Sequence, residues 1–156
     1  MDYLNELVCE FRNALDIVAT QKLYGRLTLF RNFPNGCCRY ASDLLAEYLI
    51  NKGVPRECIQ MAESETRKGN YTHCWLIIDD MFCVDITADQ FNGKLYFKKY
   101  EPIPNCCIVP RGTYLYEFFD NSKTQYLRNV GIDTYSEDVS AKLQVIYDSA
   151  IRQIQD

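Results

Sequence analysis

Two adjacent cysteines, Cys37 and Cys38, stand just before an amphipathic stretch in the run FPNGCCRYASDLLAEYLINKG, residues 33–53. If Asn35 is the N-cap of that helix, both thiols fall in its first turn, where unpaired N–H groups and the helix dipole stabilise an anion. A thiol ionises more readily there, and the thiolate is the nucleophilic form of cysteine. The pair predicts a reactive thiol, although a single free cysteine is more often just a small buried apolar residue.

A nucleophilic cysteine needs a base nearby, and His73 is the only histidine in the chain. It lies in an alternating, strand-like run that puts His73, Trp75 and Ile77 on one face. The next apolar run, FCVDIT, contains Asp85, a carboxylate that needs a partner if it is buried. Asp85 bonded to one ring nitrogen would leave the other nitrogen for the thiol, as in Cys/His/Asp sites. The alternatives are a structural histidine in the core or at a sheet edge and an aspartate that caps a turn.

The loop between these two runs decides whether such a triad can form. A regular two-residue hairpin would place His73 and Asp85 on opposite faces of the sheet. A three-residue loop at 79–81 sets Asp85 across from Trp75 and diagonal to His73. The triad hypothesis therefore requires an odd loop or a bulge.

Helical rotation adds a second condition. Successive residues on a helix diverge by about 100°, so Cys37 and Cys38 cannot both face His73. Only one of the two thiols can be activated by the imidazole.

Hydrophobic spacing predicts the elements that position these residues. It indicates a helix from Asp2 to about residue 20, a second helix ending at Gly53, and a third through residues 139–154. Residues 56–109 contain short runs typical of strands: CIQMA, THCWLIID, FCVDIT, KLYFKKY and CCIVP. Helices before and after an antiparallel sheet make the class α+β, and the length suits one domain spanning 1–156.

Composition excludes several classes of function. The net charge of −4 provides no basic field for a phosphate backbone, so we expect no nucleic-acid partner. No apolar run approaches the roughly 20 residues of a membrane span, and the charged N-terminus is unlike a secretory leader. Eight cysteines without a Cys-x-x-Cys spacing favour free thiols over a metal site, and we expect no cofactor. These features predict a soluble, cytoplasmic protein.

Taken together, these residues resemble the transglutaminase-like branch of the papain-like superfamily. The family pattern is Gly-x-Cys at a helix start, Leu-Leu within the helix, Gly at its end, His-x-Trp on a strand and Asp followed by Thr on the next. The chain matches it with Gly36-Cys37-Cys38, Leu44-Leu45, Gly53-Val54-Pro55, His73-Cys74-Trp75 and Asp85-Ile86-Thr87. This register aligns the family nucleophile with Cys38. Residues 85–91 also look like small bacterial proteins of this type, and the resemblance covers about residues 33–91.

The resemblance implies a papain-like core in which the nucleophile helix packs on an antiparallel sheet, flanked by the N- and C-terminal helices. It implies a Cys38/His73/Asp85 triad that forms an acyl-enzyme from a protein or peptide amide. The acyl group would then pass to water or to an amine. Peptide hydrolysis, glutamine deamidation and transamidation share that first half.

The groups that would bind the oxyanion and the substrate are less determined. The backbone N–H of Cys38 is the expected oxyanion donor, since first-turn amides have no intrahelical acceptor. Asn35, Gln21 and Gln90 are the side chains that could add a second donor. We predict that Asn35 and Gln90 also contact substrate, and that Trp75 walls the site or belongs to the core.

Two other functions remain open from the residues alone. The first is a catalytically inactive papain-like binding module that uses the aromatic run at 114–119 as an exposed surface. The second is a regulatory thiol sensor built on Cys37 and Cys38.

Overall fold

The computed structural model describes residues 2–66, 70–119 and 123–155. Its α-helices are α1 (Asp2–Thr20), α2 (Cys38–Asn51) and α3 (Glu137–Gln155). Its strands are β1 (Ile59–Glu65), β2 (Thr72–Ile78), β3 (Phe82–Asp85), β4 (Cys107–Pro110) and β5 (Gln125–Leu127). The sheet order is β4-β3-β2-β1-β5, and every neighbouring pair is antiparallel. The predicted α+β class is confirmed.

The three helices lie where the apolar spacing predicts them and together cover one face of the sheet. Alternation along the central strand β2 sends Cys74, Leu76 and Ile78 into the core shared with these helices. It sends Trp75 and Ile77 into a separate, aromatic-rich cluster on the opposite face. Because β2 is buried on both faces, it can hold side chains of opposite orientation in fixed positions.

Two strand assignments differ from the sequence prediction. The run KLYFKKY, predicted as a strand, forms a 3₁₀-helix at Leu95–Tyr100. Only Phe97 of that helix has a buried side chain, so the run lacks the alternate buried positions that stabilise a strand. β5 went unpredicted because its three residues carry no apolar alternation, and its pairing with β1 alone defines it.

The aromatic run at 114–119 was predicted as an exposed binding surface. This prediction is wrong for half of its residues, which are buried. Leu115, Tyr116 and Phe119 are buried in the second cluster. The face of β2 that carries Trp75 and Ile77 is apolar and must be covered, and this run supplies the cover. The run is therefore part of the core.

Arg12 ties α1 to the segment that follows β3. Its side chain is only 4% exposed and forms a bidentate pair with Asp89, with both distances 2.8 Å. The guanidinium also donates to the carbonyls of Ile86, at 2.7 Å, and Asn105, at 3.1 Å. A charged residue inside an amphipathic helix is thus the clamp that holds the chain just beyond Asp85.

Replacing Arg12 with Met is expected to lower the free energy of unfolding by about 3 kcal/mol, because the Asp89 carboxylate and two carbonyls lose their donor. Urea titration measures the change. Arg152→Met, which removes an exposed arginine of α3, is the control and should shift stability by less than about 0.5 kcal/mol. Equal losses in the two variants would contradict the clamp.

Within the described parts of the chain, no helix combines the length and the apolar character needed to cross a membrane.

Candidate active site

The start of α2 is set by a glycine. Gly36 has φ +69°, in the left-handed region, with open space where a Cβ would stand. The turn therefore continues past Asn35, and the first helical hydrogen bond runs from Ala41 N–H to the Cys37 carbonyl at 2.8 Å. Cys37 is the N-cap, so the prediction that Asn35 caps the helix is wrong. Cys38 becomes the first helical residue, where the dipole favours an anion most strongly.

The two adjacent thiols occupy opposite environments. Cys37 is 1% exposed, and its sulfur lies 3.3 Å from the carbonyl oxygen of Asn35 and 3.6 Å from that of Leu29. Burial raises the pKa of the Cys37 thiol to about 12. Cys38 is half-buried and lines a cavity beside His73. The two side chains therefore point into different surroundings, although Cys37, as the N-cap, is not itself a helical residue.

The hairpin between β2 and β3 has the three-residue loop that the triad requires. Ile78 pairs with Phe82 and Leu76 with Val84, so residues 79–81 form the loop. His73 Nε2 lies 2.6 Å from Asp85 Oδ2, and neither side chain is exposed. The prediction of an odd loop is confirmed, and it brings the only imidazole onto a buried carboxylate.

Asp85 is held on both oxygens. Thr87 donates to Oδ1 from its backbone N–H, at 2.8 Å, and from its hydroxyl, at 3.0 Å. Tyr116 donates its hydroxyl to Oδ2 at 2.9 Å. Burial alone would raise the pKa of Asp85, but the charge of His73 and these hydrogen bonds hold it below its usual value. The carboxylate therefore stays ionised inside the protein.

The Asp85 carboxylate shifts the pKa of the His73 ring, and the ring in turn shifts the pKa of the Cys38 thiol. Burial would lower the pKa of His73, but the adjacent Asp85 carboxylate and Cys38 raise it to about 10. Hydrogen bonding from the Cys74 thiol is the largest influence on Cys38, burial opposes it, and His73 adds a hydrogen bond and a positive charge. The net effect lowers the pKa of Cys38 to about 4. Both shifts favour the thiolate and the imidazolium over the neutral pair.

The Cys38 sulfur opens onto a cavity of about 550 Å³ between the start of α2 and the adjoining ends of β1 and β2. Charged side chains around it are paired with one another: Arg39 with Glu63, and Lys123 with Glu65 at 2.9 Å. The cavity is lined mainly by charged and polar residues and is open to solvent.

Of the other predicted site residues, Gln90 lies closest to the triad. Its Nε2 is 3.4 Å from His73 Nδ1 and 2.9 Å from the Thr87 carbonyl oxygen. Asn35 and Gln21 are exposed, and neither lines the cavity within the described part of the chain. Their contacts with substrate stay predictions.

Trp75 lies in the aromatic-rich cluster of the core, next to His73 on the same face of β2. It is 4% exposed and stacks on the His73 ring with centroids 5.8 Å apart. Phe91 and Phe119 enclose the same ring at 4.8 and 5.6 Å. These aromatic side chains fix the orientation of the imidazole, and contact of Trp75 with substrate stays a prediction.

The sequence did not point to two residues of the site. Cys74 belongs to the opposite face of β2 from His73, yet its thiol reaches the Cys38 sulfur because α2 packs on that face. Tyr116 lies 31 residues beyond Asp85 in an aromatic run, and only the folding of that run onto the sheet brings its hydroxyl to the carboxylate. For Tyr116 no local sequence signal exists.

Tyr116→Phe is expected to slow modification of Cys38 by an electrophile severalfold at pH ~4, where Cys38 titrates, because Asp85 loses a charge-assisted hydrogen bond and holds His73 less firmly. The pH profile of the rate, measured by mass spectrometry, should also move upward. The matched control is Tyr114→Phe, which removes a hydroxyl that donates to the Tyr100 carbonyl. If both variants keep the wild-type profile, Tyr116 has no positioning role.

Within residues 2–66, 70–119 and 123–155, no group of three or more His, Cys, Asp or Glu side chains is placed to hold a metal ion. No protein-family model, curated protein or solved structure matches the chain. The geometry of the site therefore has to carry the functional argument.

Proposed function

We propose that this protein is a thiol enzyme that forms an acyl-enzyme from a protein or peptide amide through Cys38, His73 and Asp85. One observation carries the proposal. The first residue of a helix, Cys38, lines the same cavity as a histidine that influences its pKa and whose Nε2 is bound, at 2.6 Å, to a buried aspartate. Cysteine acyltransferases and hydrolases require this order of nucleophile, base and orienting acid.

In the first half-reaction the Cys38 thiolate attacks the carbonyl carbon of the amide. The negative charge moves to the carbonyl oxygen, and the backbone N–H of Cys38, a first-turn amide, is positioned to stabilise it. The Gln90 amide, near the His73 ring, is the side chain best placed to add a second donor. His73 then gives its Nδ1 proton to the departing nitrogen, the C–N bond breaks, and a thioester remains on Cys38.

In the second half-reaction His73, now neutral, accepts a proton from water or an amine that attacks the thioester. Asp85 stays ionised throughout and stabilises the imidazolium each time it forms. Water as acceptor gives peptide hydrolysis or deamidation, and an amine gives transamidation. The polar, open cavity admits either acceptor.

The proposal includes membership of the transglutaminase-like branch of the papain-like enzymes. It is supported by the packing of α2 on β2 and by the chain order of the triad, with the cysteine on a helix and the histidine and aspartate on adjacent antiparallel strands. Eight free thiols suit a reducing compartment, so we place the protein in the cytoplasm.

Acyl-enzyme trapping tests the function. The reduced protein is mixed with a panel of peptide p-nitroanilides and quenched in acid, and intact mass and peptide mapping locate any acyl group. We expect a thioester on Cys38 that hydroxylamine discharges and that Cys37→Ala retains. Cys38→Ala and His73→Ala should not form it.

Absence of acylation across the panel, in a protein whose Cys38 is shown to be reduced, would overturn the enzyme and favour the inactive papain-like binding module. An acyl group on Cys37 would show that the nucleophile is misassigned by one residue.

A further inference from the structure

The candidate active site contains a second thiol that the proposed reaction does not consume. Cys38 and Cys74 both line the cavity, and each thiol is the largest influence on the pKa of the other. Cys74 is only 5% exposed, and its sulfur lies 3.8 Å from Glu63 Oε2. The Ser42 hydroxyl donates to the Cys74 carbonyl at 3.4 Å, which fixes α2 against β2 at this point. Two thiols on different elements are thus held together at the mouth of one cavity.

We propose that Cys38 and Cys74 form a hydroperoxide-reactive thiol pair that closes into a reversible disulfide across the cavity. As regulation of the active site, the inference rests on the proposed function. The disulfide itself requires no acyl transfer.

The chemistry has two steps, and a hydroperoxide is the oxidant. The Cys38 thiolate attacks the terminal oxygen of the hydroperoxide, the O–O bond breaks, and the alkoxide or hydroxide leaves and takes up a proton. Cys38 is then a sulfenic acid. The Cys74 sulfur attacks the Cys38 sulfur, the S–O bond breaks, and the hydroxide leaves as water with the proton of Cys74. Two thiols are oxidised, one hydroperoxide is reduced, and an external thiol reverses the reaction by exchange.

The electrostatics favour this order of events. The thiolate at Cys38 is the form that peroxides oxidise. The Cys38 thiol is the largest influence that holds the pKa of Cys74 far above the usual range. Cys74 therefore stays protonated as long as Cys38 is reduced. Once Cys38 is a neutral sulfenic acid, that influence disappears and Cys74 ionises more readily. Cys74 therefore becomes a better nucleophile after Cys38 has been oxidised.

The neighbouring Cys37 is the obvious rival partner, and the structure disfavours it. Its thiol is buried and directed to the carbonyl oxygens of Leu29 and Asn35. A thiol switch at this site therefore uses Cys74 and not the vicinal pair that the sequence suggests.

The chain provides its own comparison pair. Cys9 influences the pKa of Cys106, so these two thiols are also neighbours. Burial and that contact raise the pKa of Cys106, and it has no imidazolium beside it. Proximity without a thiolate should give slow oxidation.

The experiment adds one equivalent of hydrogen peroxide to the reduced protein at neutral pH, blocks remaining thiols with an alkylating agent and maps the peptides. We expect a Cys38–Cys74 linked peptide, a loss of about 2 Da, and full reversal by dithiothreitol. Linkage of Cys9 to Cys106 should be at least about tenfold slower. Cys37→Ser should still form the Cys38–Cys74 link, and Cys74→Ser should accumulate the sulfenic acid on Cys38, which a second equivalent of peroxide converts to the sulfinic acid.

A wild-type protein in which the sulfenic acid persists on Cys38, or a second equivalent of peroxide gives the sulfinic acid, while Cys74 stays free would overturn the inference, as would linkage of Cys38 to Cys37. Because wild-type mapping decides the question, misfolding of a variant does not affect the result. Disulfide formation without acylation in the trapping assay would support the proposed thiol pair and overturn the proposed acyl-transfer function. Acylation without the disulfide would do the reverse.

Discussion

Alkylation of the reduced protein at pH ~5.5 is expected to mark Cys38 first among the eight cysteines. An ordinary thiol with a pKa near ~8.5 is only about 0.1% thiolate at that pH, whereas Cys38, with a pKa of about 4, is almost fully ionised. A thiolate of low pKa is intrinsically less nucleophilic, by about a hundredfold for this difference. The two factors together leave Cys38 about tenfold faster than an exposed ordinary thiol. The margin over buried Cys37 is larger still.

The pH dependence has a definite sign. Because the pKa of Cys38 is lowered, reactivity should appear as the pH rises through about 4 and then stay level through neutral pH. Turnover should also fall above about 10, where His73 loses the proton that it gives to the leaving group. Alkylation does not need that proton and should continue. Arg39, Glu63 and Cys74 also face the sulfur or its cavity, so the profile is measured at constant ionic strength.

Three variants test the assignment by mass spectrometry of the singly labelled protein. Fast labelling should survive Cys37→Ala and disappear in Cys38→Ala. In His73→Ala the thiolate loses its cationic partner, so labelling at pH ~5.5 should fall toward the ordinary rate. Label on Cys37 would show that the nucleophile is assigned one residue too late. Equal labelling of all cysteines would contradict the proposal that one thiol is activated.

Asp85→Asn is expected to lower acyl-enzyme formation by about 10²- to 10⁴-fold while the fold persists. An amide in this position presents an N–H to His73 Nε2, which favours the wrong tautomer and removes the charge that raises the pKa of His73. Thr87 can still donate to the amide oxygen, which limits the loss of stability, whereas Tyr116, which shares the other oxygen position with His73, loses its acceptor. Stopped-flow acylation and urea titration measure the two quantities separately.

The matched control is Asp43, an aspartate of α2 that is as deeply buried as Asp85. Its carboxylate accepts from the Tyr135 hydroxyl and from the Gly131 N–H, and it has no bond to His73. Asp43→Asn should reduce stability and leave the acylation rate within about threefold of wild type. If the two variants lose activity in proportion to stability, Asp85 has only a structural role.

By itself, the sequence predicted the local elements and the pairing of His73 with Asp85 within one hairpin. The apolar spacing of α1, α2 and α3 is long and regular, and that periodicity survives because each helix buries one face. The alternation of β2 assigned Cys74 and Trp75 to opposite faces, and the odd loop placed Asp85 within reach of His73. Contacts between residues this close in sequence are set by the strand period and the loop length, and both can be read from the sequence.

Tertiary structure alone decided the contacts between distant segments. Docking of α2 on β2 brought Cys74 to Cys38, and the covering of the second sheet face brought Tyr116 to Asp85. Pairing with β1 made a strand of the residues at 125–127, while KLYFKKY, with a single buried side chain, became a 3₁₀-helix. These outcomes depend on which apolar surface remains to be buried once the helices and the hairpin are in place, and that surface does not exist until the chain has folded.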